Sequence, residues 1–251
     1  MLPARLAYLD GLLAFALFMV GMLAAHFYVV APLSGFVVYV LGFFLGLIGI
    51  VIGLVAIFTT RKPETRAGRT RALVGTGLCL IVTVPIILTI VRSSKYPPIN
   101  DITTDTENPP EFVFAQKLQH PPDRDMKYDK AKYAATQQAG YGIIAPLKEK
   151  LEPAAAFARV TEVAQGVPTW KITYSDPAKN TLEAVATSNL FHFADDVVIE
   201  IRPTPDGESL IEMRSKSRDG TGDLGVNARR IHRFFDRVAL ARGTVDPQTM
   251  P

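Results

Sequence analysis

The residue types that could bind a charged ligand are concentrated in the stretch RSKSRDGTGDLGVN, which runs from Arg214 to Asn227. Three cations, three glycines, two aspartates and two serines occupy ten of its fourteen positions. Glycines permit close backbone approach, and a helix that begins after them presents free backbone N–H groups to an anion. The candidate residues for binding an anion, another ligand or a lipid head group are Arg214, Ser215, Lys216, Ser217, Arg218, Gly220, Gly222, Asp223, Asn227 and Arg230.

A second interpretation makes the same stretch a turn that joins a strand to a helix. Asp219 and Asp223 would then neutralise the neighbouring arginines, and the glycines would supply backbone conformations with positive φ. Asp223 also suits the N-cap of the following helix. The sequence leaves both interpretations open.

Glu183, Asp195 and Asp196 are secondary candidates, because two converging carboxylates could act as general acid and base. Asp195 and Asp196 are adjacent, so they point to opposite faces if the strand has begun, and we expect one to pair with an arginine or cap the turn. No Gly-x-Ser-x-Gly elbow, Walker motif or dinucleotide motif is present. The histidines lack metal-ligand spacing, so we expect neither a metal site nor a cofactor and assign no catalytic residue.

The charge is unevenly distributed along the 251 residues. Residues 1–95 carry eight basic and two acidic side chains, whereas the remainder carries 19 basic and 22 acidic ones. The basic excess therefore belongs to the apolar N-terminal part, which argues against a nucleic-acid partner. Cys79 is the only cysteine, so the chain forms no internal disulfide.

Three apolar stretches are each long enough to cross a lipid bilayer as a helix. They occupy residues of about 11–30, 35–58 and 72–91. The loop RKPETRAGRTR between the second and third spans holds five basic residues and one acid, which predicts a cytoplasmic position. We therefore expect a multi-pass protein of the bacterial inner membrane, with a cytoplasmic N-terminus and a periplasmic C-terminal domain.

Four glycines line one face of the second span. Gly42, Gly46, Gly49 and Gly53 repeat at spacings of four, three and four, which allows a neighbouring backbone to approach closely. Packing against the other spans would explain this face. Contact with a membrane-protein partner or with a second copy of the chain would also explain it.

The periodicity predicts an α+β fold, in which three transmembrane helices precede an extracytoplasmic domain whose antiparallel sheet packs against two helices. Residues 1–95 form the membrane domain, residues 96–140 a proline-rich strap or linker, and residues 141–251 the α+β domain. Pro153 begins a helix that runs to Gln165. Strands are expected at 170–175, 182–190, 196–203 and 208–215, and a final helix at 225–240.

The strings INDITTDTENPPEF, WKITYSD, LEAVATSNLFHFADDVVIEIRP and RSKSRDGTGDLGVNARRIHRFF resemble the domain of unknown function family 1499. The resemblance covers residues of about 98–240. It implies a stand-alone or membrane-anchored bacterial domain, with related domains in plastids. It transfers no reaction and no catalytic residue, because the family has no established activity.

Two functional classes follow from these observations. The first is a binding or assembly module of the cell envelope, and the second is a metal-independent envelope hydrolase using Glu183 or Asp196 with Arg214 and Arg218. A hydrolase should bring these side chains together in a concave pocket. A binding module should show them paired off on a flat face beside an exposed apolar patch.

Overall fold

The computed structural model describes residues 2–118 and 125–241. The chain divides into two compact units, which are Met1–Ser94 with Asn189–His192, and Lys95–Ser188 with Phe193–Pro251. The first unit is helical. The second contains an antiparallel sheet with helices, so the predicted α+β class is confirmed.

Three long apolar helices form the first unit, as the sequence predicts. Helix α1 spans Leu2–His26, α2 spans Pro32–Thr59 and α3 spans Arg69–Ser93, with a short 3₁₀ helix at Pro63–Gly68 before α3. Each is long and apolar enough to cross a membrane. Helix α1 begins at Leu2 and ends at His26, whereas the predicted span was 11–30.

Because α1 begins at Leu2, Asp10 lies inside a helix that is long and apolar enough to cross a membrane. Its carboxylate lies beside Gly49 of α2, and its Oδ2 atom is 3.8 Å from Sγ of Cys79 in α3. The predicted span, which started at residue 11, left this acid outside. The helix bundle therefore contains one acidic side chain that packs at a glycine.

The glycine face of α2 packs against α1 and α3 of the same chain. A Cβ atom at Gly42 would lie 2.7 Å from the backbone oxygen of Ala14 in α1, and one at Gly46 would lie 2.8 Å from Cγ2 of Thr83 in α3. Such distances exclude a larger residue unless the helices move apart. Packing within the chain accounts for this face, and contact with a second chain stays a prediction.

The sheet of the second unit has six strands in the described part of the chain. They are β1 Asp101–Thr103, β2 Leu147–Glu149, β3 Trp170–Asp176, β4 Thr181–Thr187, β5 Ala194–Pro203 and β6 Ser209–Ser217. The order is β1-β6-β5-β4-β3, and β2 pairs with the other end of β6. All pairs are antiparallel.

The helices of this unit are α4 Lys130–Tyr141, α5 Pro153–Gln165 and α6 Val226–Leu240. The bounds of α5 match the prediction, because Pro153 fits the first turn of a helix. One face of the sheet packs against α5 and α6. The core between this face and the two helices includes the buried side chains of Val197, Ile199, Ile211, Met213, Phe157, Val160, Ile231 and Phe234.

The segment 96–140, predicted as a strap or linker, contains strand β1 and helix α4. Asp129 caps α4 by accepting a hydrogen bond from the backbone N–H of Lys132. Other residues of the segment cover the second face of the sheet, where Phe112, Ala115 and Met126 pack with Val198 of β5. The described residues of this segment therefore pack on the domain and cover the polar face of the sheet.

Candidate functional site

The predicted site residues of β6 alternate between the two faces of the sheet, as side chains of a strand must. Arg214 and Lys216 point to the face covered by the 96–140 segment, where both contact Asp101. Ser215 and Ser217 point to the opposite face and contact Asn227 of α6. The sequence motif therefore contributes to two separate clusters rather than to one.

The first cluster is a buried ion-pair triad of Asp101, Arg214 and Lys216. Arg214 donates from Nε to Asp101 Oδ1 at 2.9 Å and from Nη2 to Oδ2 at 2.8 Å, and Lys216 Nζ is also 2.8 Å from Oδ2. Asp101 and Arg214 are both fully buried, with 0% exposure. A ligand in solvent therefore has no access to the Arg214 guanidinium.

Aromatic rings and backbone oxygens complete the environment of Arg214. Its guanidinium lies 5.0 Å from the Phe112 ring centre and 5.3 Å from that of Tyr128. Nη2 also donates to the backbone oxygen of Met126 at 2.9 Å. Burial raises the pKa of Asp101, but hydrogen bonds and charge from Arg214 and Lys216 outweigh it and hold this pKa below its usual value.

Asp195 and Asp196 of β5, which were secondary candidates for site residues, each form an ion pair with an arginine. Arg218 Nη2 donates to Asp196 Oδ1 at 2.7 Å and Arg218 Nε donates to Asp196 Oδ2 at 3.1 Å, while Arg230 of α6 pairs with Asp195. In one of the two interpretations that the sequence left open, Asp219 and Asp223 neutralise the arginines. The structure instead assigns this role to acids of β1 and β5, because the antiparallel register brings both strands beside the end of β6.

A buried hydrogen-bond network joins β6 to the start of α6. Ser215 Oγ donates to Asn227 Oδ1 at 2.7 Å, and Asn227 Nδ2 donates to Ser217 Oγ at 2.9 Å. Arg230 Nη1 donates to Ser215 Oγ at 2.8 Å. Asn227 and both serines are buried, so these side chains fix the helix on the sheet.

Residues 219–225, which contain three glycines and which we call the glycine loop, contact residues 95–100. We call residues 95–100 the juxtamembrane segment, because they closely follow α3 in the chain. Asn100 Nδ2 donates to the backbone oxygen of Gly220 at 2.5 Å. The backbone N–H of Asp223 donates to Ile99 O at 3.2 Å. A Cβ atom at Gly222 would lie 3.1 Å from Cα of Pro98, so this glycine permits close approach of the segment.

Asp223 organises the beginning of α6, although the N-cap position itself belongs to Gly225. Its carboxylate accepts hydrogen bonds from the backbone N–H groups of Gly225 at 2.8 Å and Asn227 at 2.6 Å. It also accepts one from the Tyr141 hydroxyl at 3.1 Å. Burial and the Asp223 carboxylate together raise the pKa of Tyr141. These contacts occupy the helix N-terminus that an anion would need.

We expect Gly225→Val to destabilise the domain by at least about 1–2 kcal/mol, the usual cost of a left-handed backbone for a residue with a Cβ atom. Gly225 has a φ of 77°, and its added Cβ would lie 2.7 Å from the Tyr96 ring. Gly220→Val is the matched control, because Gly220 has the same φ but its added Cβ would lie 3.6 Å from its nearest neighbour, Gly222 O, which is an ordinary van der Waals contact.

Chemical denaturation followed by fluorescence of Trp170, the only tryptophan, measures both variants in the full chain. Gly225→Val should lose more stability than Gly220→Val. Equal losses would show that the juxtamembrane contact adds nothing to the requirement for positive φ.

Backbone N–H groups of the 96–140 segment bind the carboxylate of Glu183. Its carboxylate accepts hydrogen bonds from the N–H groups of Val113, Phe114 and Ala115, at 2.8 Å for Phe114 and 2.9 Å for Ala115. Glu183 is 1% exposed. Three amide donors stabilise the charged form of a carboxylate, so Glu183 serves as an anchor for this segment.

Sequence reasoning missed Asp101 and Glu212, although both are buried acids. Asp101 lies in the segment taken as a strap, and Glu212 alternates with Ile211 and Met213 on β6. Glu212 Oε1 accepts from Arg202 Nη1 at 3.2 Å, and burial raises the pKa of Glu212 to about 7. The signal that could have identified Glu212 is its place in the alternation of β6, which puts an acid on a covered face of the sheet.

An open cleft of about 520 Å³ lies elsewhere in the domain. It is lined by Lys148, Glu149, Lys150, Leu151, Arg159 and Glu208. None of the predicted site residues lines it. Within the described residues, no group of three or more His, Cys, Asp or Glu side chains is arranged to hold a metal ion.

A protein-family model matches residues 101–238, which is more than half of the chain. Its description reads "Protein of unknown function (DUF1499)". The match begins at Asp101 and ends at Val238, so it includes the buried triad, the glycine loop and most of α6. No curated protein matches the chain.

Proposed function

Because this chain belongs to the DUF1499 family of proteins of unknown function and carries three helices able to cross a membrane, we propose that it is a membrane-anchored binding or assembly module of the bacterial cell envelope. Its folded domain lies on the periplasmic side of the inner membrane. The helices anchor the domain, and the domain presents a surface to another envelope component.

The pairing of the predicted site residues carries the choice of a binding module over a hydrolase. Arg214 pairs with Asp101, and Arg218 pairs with Asp196. Glu183 is held by three backbone amides. A hydrolase would need some of these groups to converge on a concave pocket with a free base. Their mutual pairing supports a structural role, which leaves binding to the exposed surface.

The charge of the loop between α2 and α3 supports the periplasmic direction. Residues 61–71 carry five basic side chains and one acid, and short loops of this kind are retained in the cytoplasm. Helix α3 would then cross the membrane outwards and deliver the domain to the opposite side.

Alkaline phosphatase fusions test this direction, since the enzyme becomes active only after export. A fusion after Pro251 should be active, whereas a fusion within residues 61–71 should be inactive. Immunoblots must show similar amounts of both fusion proteins. The reverse pattern would contradict the periplasmic position and with it an envelope role for the domain.

A further inference from the structure

The solvent-facing side of α6 carries a row of three arginines. Arg229, Arg233 and Arg237 are each four residues apart, so they lie along one side of the helix. Arg233 and Arg237 are exposed and Arg229 is half-buried. The opposite side of α6 packs into the core. We call the three arginines the basic row.

The basic row has no acidic partner within residues 2–118 and 125–241. Arg229 donates to the backbone oxygen of Leu224 at 3.1 Å, and neither Arg233 nor Arg237 lies within ion-pair distance of a described carboxylate. Asp236 is exposed on the same helix but forms no such pair. Like charges four residues apart destabilise a helix, so this row favours an anionic partner.

Exposed apolar side chains flank the basic row at both ends. Leu224 and Val226 precede it with 52% and 39% exposure, and Leu240 follows it with 76% exposure. Arginines beside exposed aliphatic residues on an amphipathic helix are typical of surfaces that lie at the head-group level of a membrane. A binding site for a small soluble anion would not need these apolar flanks.

The juxtamembrane segment contacts one end of the basic row. The Arg229 guanidinium lies 5.5 Å from the Tyr96 ring centre, and Lys95 Nζ lies 5.0 Å from the same centre. Helix α3 ends at Ser93. Tyr96 follows the last residue of α3 by three positions in the chain. Lys95 adds a further exposed cation.

We propose that the basic row, together with Lys95, binds the phosphate head groups of anionic phospholipids in the membrane that anchors the chain. The charge selects the anionic lipids, and the aliphatic flanks contact the interface. This inference goes beyond the proposed function, because it holds on either side of the membrane. Each arginine near an anionic surface is expected to strengthen lipid contact by roughly fivefold.

The test uses the full chain in nanodiscs of phosphatidylcholine, with or without about one-third phosphatidylglycerol. A dye is attached at His232→Cys, an exposed position beside the basic row, in a Cys79→Ser background. Lipids that carry a spin label on the head group quench the dye when α6 lies at the membrane surface. We expect several-fold stronger quenching in the discs that contain phosphatidylglycerol, and a loss of this difference at high salt.

Arg233→Glu combined with Arg237→Glu should abolish the difference between the two lipid compositions. Lys171→Glu combined with Lys179→Glu is the matched control, since both lysines are exposed and lie outside α6. Trp170 fluorescence checks that each variant is folded. Equal quenching in both kinds of disc, or equal effects of the two double variants, would overturn the proposal. Either outcome would indicate that the basic row meets a soluble acidic partner or none.

Discussion

Asp101→Asn is expected to lower the free energy of unfolding of the domain by about 3–5 kcal/mol, because it leaves the buried charges of Arg214 and Lys216 without their counter-ion. Both side chains contact Asp101 Oδ2 at 2.8 Å, and Arg214 is fully buried. Denaturation of the full chain, followed by Trp170 fluorescence, measures the change. The Asp101 pKa is depressed, so its contribution is present above the ordinary aspartate pKa of 3.8 and is lost as the pH falls further.

Glu107→Gln is the control for Asp101→Asn, because it removes an ion pair at the surface. Glu107 pairs with Lys130, and their side chains are 63% and 54% exposed. Solvent screens such a pair, so we expect a change below about 1 kcal/mol. Similar losses for both variants would contradict the central structural role of the buried triad.

Glu212→Gln is expected to change how the stability of the domain depends on pH. Burial raises the pKa of Glu212 from 4.5 to about 7, so the folded state holds this proton more tightly than the unfolded state. Its favourable contribution is fully present below pH 4.5 and is lost as the pH rises to about 7. Since a pKa change of one corresponds to about 1.4 kcal/mol, the loss amounts to about 3 kcal/mol.

Unfolding free energies at several pH values between about 4.5 and 7.5 test this expectation. The stability of the wild type relative to Glu212→Gln should fall as the pH rises. Glu162→Gln, a change at an exposed position of α5, should run parallel to the wild type. Parallel curves for Glu212→Gln would show that the buried carboxylate has the same affinity for protons in both states.

The local patterns of the sequence predicted much of the fold. Pro153 and the apolar face of α5 gave its bounds, and the apolar stripe of Ile231, Phe234 and Val238 gave α6 to within one residue. Alternation along β5 and β6 predicted the buried face of the sheet. These elements follow from periodicity, which acts over a few residues.

The strands that the sequence did not predict, β1 and β2, depend on contacts between distant parts of the chain. Strands β1 and β2 contain three residues each, too few for a period of two to be recognised, and both are defined by pairing with β6. Asp101 and Arg214 are 113 residues apart. Asp219 and Asp223 are the acids nearest in sequence to Arg218. The register of the sheet, however, decides which acids and arginines meet in the folded domain.

The role of the motif was therefore only partly predictable. Positive φ was expected for the glycines of the motif; Gly220 and Gly225 have it, and Gly222 does not. Gly222 and Gly225 also leave room for the juxtamembrane segment, a role that depends on Pro98 and Tyr96, more than a hundred positions earlier. No local pattern carries that information.

The most direct test of the motif as an internal framework measures the effect of inorganic phosphate on unfolding of the full-chain wild type and of Arg218→Gln. A ligand at one hundred times its Kd would stabilise the folded state by about 2.7 kcal/mol. We predict that phosphate leaves both proteins unchanged and that Arg218→Gln is less stable, because the substitution removes the ion pair between Arg218 and Asp196. Stabilisation of the wild type alone, with Arg218→Gln equally stable in the absence of phosphate, would contradict the framework and establish an anion site.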